Sequence, residues 1–422
     1  MKRWCAVLIL ALVVVAYSFR GAPAAPPQVV KIGVVYPLTG PVAATGVASV
    51  NAMRLAAEIV NERYPDLKMP LAATAGLPNL GGARIELVVA DHQMNPELGS
   101  SETERLVTQQ GVVAIIGAYA SAITETASSA AERLGIPLVN AQSTSPRLHR
   151  RGFKWYFRTT PHDEVFSDLM MRFLKGLNEK RNLGIKTVAT VYENTLFGTD
   201  SSRTQNNFAK IYGFQVVTNI RYPNQTSDLT SEIQSLKAAN PDVILPTSYI
   251  SDAILMVRLM KTLDYAPKGI LAQGVGFTEG SFLPTVGRDG DHILSREAFS
   301  EDLRKTKPLV GQVADLFKRK YGSDLEGATA RSFTAVIVLA DAINRAGSTN
   351  PDAIRRALQA TDIPADQLIM PWKGVKFDQR TGQNVLGTGV IVQAFDRKYH
   401  TVWPFELASR DIVWPFPGWS RR

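Results

Sequence analysis

The chain has 422 residues, 45% hydrophobic and 20% charged, enough to bury substantial cores in two or three domains. Its 31 Gly and 24 Pro are scattered without period and its apolar content is ordinary, which excludes disordered and collagen-like classes. The formal charge of +9 is spread as Lys and Arg in ones and twos rather than stripes, which argues against a nucleic-acid partner.

Met1-Lys2-Arg3 is a basic start, and Trp4 to Phe19 is an apolar run just short of the roughly 20 residues a membrane-spanning helix needs. With the small residues Ala22-Pro23-Ala24 following, residues 1–24 read as a secretory signal and Ala25 as the first mature residue; an uncleaved anchor is the alternative. Cys5, the one cysteine, leaves with the signal, so the mature chain is expected to have no disulfide, thiol nucleophile or thiolate metal site. Loss of Lys2, Arg3 and Arg20 lowers the formal charge from +9 to +6. The expected location is the periplasm.

From Val29 onward short β-branched runs alternate with longer amphipathic ones. Val29–Tyr36, Arg84–Ala90, Val112–Ile116, Pro137–Asn140, Thr187–Tyr192, Phe214–Ile220, Val243–Leu245 and Gly269–Gln273 are expected strands. After Gly46, Val50, Met53, Ala57 and Val60 share one helical face, and after Ser121 so do Ile123, Ala127, Ala130 and Leu134. Strand, helix, strand at spacings of roughly 20 to 30 residues means right-handed crossovers and parallel sheets. The stretch Arg147–Arg158, mixing charges with Phe153, Trp155 and Tyr156, interrupts the alternation and favours two sheets, hence two lobes with a cleft. Lys68–Gly82, rich in Ala, Pro and Gly, is expected as an exposed loop, and the tail from Thr401 as irregular chain held by aromatic packing.

Catalytic patterns are missing. The five histidines, His92, His149, His162, His292 and His400, have no second ligand at metal-site spacing, and there is no nucleophile elbow or Walker loop. Gly274-Val275-Gly276-Phe277-Thr278-Glu279-Gly280 has its third glycine one residue late for a dinucleotide fingerprint. No metal, cofactor or reaction is expected, which points to a binder rather than an enzyme.

In open α/β sheets ligands collect beyond the carboxyl ends of strands, so the residues just after each strand carry the weight. Ser121 follows Gly117-Ala118-Tyr119-Ala120 and opens a helix, where a hydroxyl and free N–H groups would hold a carboxylate; a plain helix cap is the competing reading. Ala141-Gln142-Ser143-Thr144-Ser145-Pro146 is a hydroxyl-rich loop suited to an ammonium and a carboxylate, or a polar loop and no more. Phe197 and Tyr249 follow strands of the second half and are either cleft walls or core.

Lys31-Ile32-Gly33-Val34-Val35-Tyr36-Pro37-Leu38-Thr39-Gly40, Ile115-Ile116-Gly117 with Ser121, Gly135-Ile136-Pro137 leading to Ser143-Thr144-Ser145-Pro146, and Tyr192-Glu193 with Phe197-Gly198 together resemble the branched-chain amino acid-binding proteins of ABC importers. The likeness runs in order over nearly the whole mature chain. It implies the type I periplasmic binding fold, an α/β architecture of two Rossmann-like lobes with parallel sheets joined by three crossovers near residue 160, residue 299 and Leu386. Lobe 1 would comprise 28–160 with 300–385, and lobe 2 161–299 with 386–422. By the same resemblance Ser121 matches the carboxylate-binding serine, Gln142, Ser143 and Thr144 the backbone and threonine contacts, and Phe197 and Tyr249 the aromatic wall. The acidic partner of the ligand's ammonium should follow the strand Gly269–Gln273, where this chain has Gln273. An amide cannot supply the charge a buried ammonium needs, so Glu279 or Asp252 would have to, or the ligand has no amine. The implied function is that of a monomeric, exported solute-binding protein. It would take a branched-chain amino acid or a related small carboxylate or amide and deliver it to an inner-membrane ABC permease. A ligand sensor on the same fold, acting on a receptor or regulator, is the alternative, and an exported hydrolase with a lone catalytic carboxylate a more remote one.

Overall fold

β1 (Val29–Tyr36) is apolar on both faces and buried at all but its first and third residues, the pattern of a parallel strand covered above and below. The computed structural model describes residues 28–419, so the signal at 1–24 and cleavage before Ala25 lie outside the described residues. From β1 the chain continues through α1 (Ala43–Asn61), β2 (Arg84–Asp91), α2 (Pro96–Gln110), β3 (Ala114–Gly117), α3 (Ser121–Leu134), β4 (Leu138–Asn140) and β5 (Tyr156–Arg158). These strands form one parallel sheet in the order β2-β1-β3-β4-β5.

The chain then crosses to a second lobe: α4 (Asp163–Arg181), β6 (Thr187–Glu193), α5 (Leu196–Ile211), β7 (Gln215–Tyr222), α6 (Thr230–Ala239), β8 (Val243–Thr247), α7 (Ile250–Thr262), β9 (Gly269–Ala272), α8 (Phe282–Val286) and β10 (Leu294–Glu297). After β10 it returns to pack α9 (Pro308–Tyr321) and α10 (Gly327–Ala346) against α1, followed by α11 (Pro351–Gln359) and a ribbon of β11 (Asp362–Pro364) and β12 (Gly374–Lys376). The third crossing leads to β13 (Val390–Phe395) and β14 (Lys398–Trp403). The second sheet has the order β14-β13-β10-β9-β8-β6-β7, parallel from β7 to β10 and antiparallel beyond. Two α/β lobes joined by three crossovers are thus present, the first with a parallel sheet and the second with a sheet that is parallel except for its antiparallel β13 and β14 edge.

Helix ends follow local chemistry. Asn95 accepts hydrogen bonds from the Glu97 and Leu98 amides with Pro96 as the first helical residue of α2, and Gly111 ends it at φ +68.

All eight expected strands are present, and β5 and β10–β14 are additional. β5 lies within the stretch read as a break. Lys68–Gly82 is not an exposed loop: Met69, Ala72, Leu77 and Leu80 are buried, and the Asn79 amide donates to Asn344 Oδ1 on α10 at 2.9 Å. Its apolar side chains cover the end of the helix pair, which Ala, Pro and Gly content alone conceals. On α3, Leu134 is exposed while Ile123, Ala127 and Ala130 are buried. The tail starts later than expected, since Thr401–Trp403 belongs to β14. Beyond it Trp414 covers Gly269, and Trp419 Nε1 donates to the Tyr265 carbonyl at 2.8 Å.

Candidate functional site

The loops after β3 and β4 of the first lobe face those after β6, β8 and β9 of the second. Between them lies a cavity lined by Tyr119, Ser121, Gln142, Ser143 and Thr144 on one side and by Phe197, Tyr249, Val275, Thr278 and Glu279 on the other, with Ala328 and Arg331 of α10 at its end. It is narrow: about 20 Å³ accepts the centre of a water molecule, room for one or two waters, within about 420 Å³ free of protein atoms and partly open to solvent.

Six of the seven expected site residues, Ser121, Gln142, Ser143, Thr144, Phe197 and Tyr249, line this one cavity. Ser121 is the first residue of α3, whose cap is Ala120 with no side-chain capping bond; the Ser121 hydroxyl instead accepts from the Ser145 amide at 3.4 Å. The first N–H groups of a helix have no acceptor within it, so this end of the cavity presents donors to an anion. Ser143 Oγ donates to the Tyr119 carbonyl at 2.8 Å and contacts Thr124 Oγ1 at 2.6 Å, which fixes one loop to the other. Thr144 Oγ1 is buried with no partner in hydrogen-bond geometry, although the Asp163 carboxyl lies beside it. Gln142 Nε2 is held by Ser49 Oγ, the Ala328 carbonyl and Ser332 Oγ at 2.6–3.0 Å, while its Oε1 has no partner. Phe197 and Tyr249 pack with centroids 5.6 Å apart and planes tilted by 50°, and Tyr119 packs against Tyr249 with centroids 6.1 Å apart. Tyr119 and Val275 hold left-handed φ of +71 and +49, backbone strain of the kind concentrated at binding sites.

Gln273 is the one expected site residue that does not line the cavity. It is fully buried outside the cavity lining, donating from Nε2 to Asp163 Oδ1 at 3.1 Å and accepting from Gln205 Nε2 at 3.0 Å. Asp163 also faces the buried Arg296 guanidinium, which lies 3.9 Å from the Phe166 ring centroid. Gln273 therefore serves a packed polar cluster behind the cleft.

The carboxylate that does reach the cavity is Glu279. Tyr119 OH donates to its Oε1 at 2.5 Å and Thr45 Oγ1 to its Oε2 at 2.6 Å, both from the opposite lobe. Burial holds this carboxyl above the usual carboxylate range, opposed by the two hydroxyls and by Arg331. Ser145 Oγ adds a further cross-lobe bond to Asp200 Oδ2. Asp252 lies outside the cavity, accepting from the Gln225 amide, with burial pushing its carboxyl up to about 6.

Arg331 was not anticipated. It is buried, donating from Nε to the Gly327 carbonyl at 3.0 Å and from Nη1 to the Gln142 carbonyl at 3.3 Å, with Nη2 3.8 Å from Glu297 Oε1. The sequence does carry a signal for it, as the one charge in the otherwise neutral run Gly327–Ala340.

The family model described as "Periplasmic binding protein" matches residues 29–397. The chain belongs to the type I periplasmic binding protein family. It is 28% identical over 413 residues to the Leu/Ile/Val-binding protein homolog 7 of Brucella abortus (strain 2308), covering 96% of this chain and 99% of that one. Among solved structures it resembles the leucine-binding protein LivK of Thermotoga maritima, with a TM-score of 0.74 at 22% identity over 88% of this chain and 97% of the other. It equally resembles a solute-binding protein of an ABC transporter from Rhodopseudomonas palustris BisB5, in complex with 3,4-dihydroxybenzoic acid, with a TM-score of 0.74 at 17% identity over 89% and 96%.

Proposed function

We propose that this chain is the extracytoplasmic solute-binding component of an ABC importer. It takes a branched-chain amino acid or a related small carboxylate or amide between its lobes and presents the closed form to an inner-membrane permease, without catalysing a reaction. The observation that carries this reading is the convergence of Ser121 and Thr144 from one lobe with Phe197, Tyr249 and Glu279 from the other on a single cavity. In this reading Ser121, Thr144 and the start of α3 hold a carboxylate, the aromatic pair covers the apolar part, and binding energy shifts the equilibrium from parted to closed lobes. We place the lobe boundaries at 28–160 with 300–385 and 161–299 with 386–422, so that the three crossings act as the hinge. The test is a thermal-shift screen of the purified mature chain against amino acids, short amides and amine-free acids such as 3,4-dihydroxybenzoate. A ligand at 100 times its Kd stabilises by about 2.7 kcal/mol, a readable shift of a few degrees. Ser121→Ala should abolish the shift given by any hit. Silence across the whole panel contradicts the reading.

A further inference from the structure

The charges that line the cavity are unequally satisfied. Both oxygens of Glu279 are occupied, one by Tyr119 OH and one by Thr45 Oγ1. Arg331 is the opposite case. Its Nε and Nη1 are placed by two backbone carbonyls, whereas Nη2 has as its nearest charged acceptor Glu297 Oε1 at 3.8 Å, beyond hydrogen-bond length. Glu297 is itself engaged, accepting from Thr278 Oγ1 at 2.8 Å and from the Ala298 amide at 2.6 Å. A buried guanidinium with an unmet donor facing a ligand cavity calls for an acceptor, and in low dielectric a charge-assisted bond is about twice as strong as a neutral one. An ammonium in the same small space would meet a fixed like charge, and each oxygen of its natural counter-ion already accepts one hydroxyl bond. The Gln142 carbonyl, an obvious acceptor for an amine, receives Arg331 Nη1 instead.

Resting on the reading above, we propose that Arg331 is the specificity determinant of the cleft and that the ligand is an amine-free organic acid whose second oxygen group, keto, hydroxyl or carboxylate, accepts a hydrogen bond from it. The cation of the complex then belongs to the protein, and the ligand supplies acceptors at both ends, to the α3 terminus and to Arg331. The unpartnered Gln142 Oε1 takes a hydroxyl of the ligand or a water rather than an ammonium.

The experiment is isothermal titration of the mature chain with three acids on one carbon skeleton: leucine, 4-methyl-2-oxopentanoate and 2-hydroxy-4-methylpentanoate, with 3,4-dihydroxybenzoate and succinate alongside. The proposal expects at least one amine-free acid to bind ten or more times tighter than leucine. That preference should shrink to within about threefold in Arg331→Met and persist in Arg331→Lys, which keeps the charge. Because Arg331 also ties Gly327 to Gln142, the melting temperature of each variant is checked; should Arg331→Met not fold, the wild-type comparison decides alone. Leucine binding as tightly as, or tighter than, every amine-free acid overturns the assignment of Arg331 while leaving solute binding in place. No binding by either kind, together with a silent thermal screen, overturns the assignment and the reading beneath it.

Discussion

Tyr119→Phe removes one hydroxyl and tests whether the bonds across the cleft set affinity. Tyr119 OH donates to Glu279 Oε1 at 2.5 Å from the facing lobe, and Glu279 is 5% exposed. In the closed form the variant leaves that oxygen buried without a donor, whereas with the lobes parted water replaces the lost bond. The cost therefore falls on the closed form and appears as weaker binding. A bond to a charged group contributes about 1.5–3 kcal/mol, which at about 1.4 kcal/mol per decade corresponds to a Kd raised roughly 10- to 150-fold. Titration calorimetry with a ligand from the thermal screen reads the affinity, and small-angle scattering with and without it reads closure. An affinity within twofold of wild type, with closure unchanged, would refute the reasoning, since it would mean that Glu279 is satisfied without its cross-lobe partner.

Phe197→Ala opens the aromatic wall beside Tyr249 and is expected to lower affinity at least tenfold by the same titration, with a stability loss of about 3–5 kcal/mol in denaturant melts. Gly276→Ala should weaken binding and lower stability by about 1–3 kcal/mol, because a Cβ there would sit 2.4 Å from the Tyr249 carbonyl carbon and displace a cavity wall; unchanged binding contradicts the placement of that loop. His92 is fully buried, with Nδ1 accepting from the Met94 amide and Nε2 donating to the Ala118 carbonyl, and burial brings its pKa down to about 4 against the opposing pull of Asp91. Its contribution is complete above the unfolded value near 6.5 and is lost as pH falls toward 4, by about 2 kcal/mol at pH 5. His92→Gln should flatten that part of the stability profile, and an unaltered slope between pH 7 and 5 would show that His92 does not carry it.

Local pattern revealed the strands that are long and apolar on both faces, such as β1 and β6, and with them the places where ligand-facing loops begin. Ser121, Gln142, Thr144, Phe197 and Tyr249 were legible because strand ends and chain order place them. Several of the elements that escaped are short or polar: β5 is three residues inside a charged stretch, β10 reads Leu-Ser-Arg-Glu, and β14 begins Lys-Tyr-His, whereas β13, Val-Ile-Val-Gln-Ala-Phe, escaped despite an apolar local pattern. They form because sheets already built offer them an edge, a tertiary effect that no local propensity encodes. Gln273 stands where strand position suggests a ligand contact, yet its amide turns to Asp163 and Gln205, distant in sequence. Glu279 reaches the cavity from six residues further on, and its hydroxyl partners Thr45 and Tyr119 come from the other lobe. Arg331 sits on a helix whose apolar run announces a core element, and only the packing of α10 against the end of the cleft gives its charge a purpose.

Hydrogen-exchange mass spectrometry of the mature chain, with and without the strongest ligand from the thermal screen, tests inter-lobe binding most directly. The account predicts simultaneous protection of the loops at 117–124 and 141–145 on one lobe and at 195–200, 247–252 and 275–281 on the other, with hinge segments changing and the outer helices unchanged. Protection confined to one lobe, or to a surface away from these loops, would contradict it.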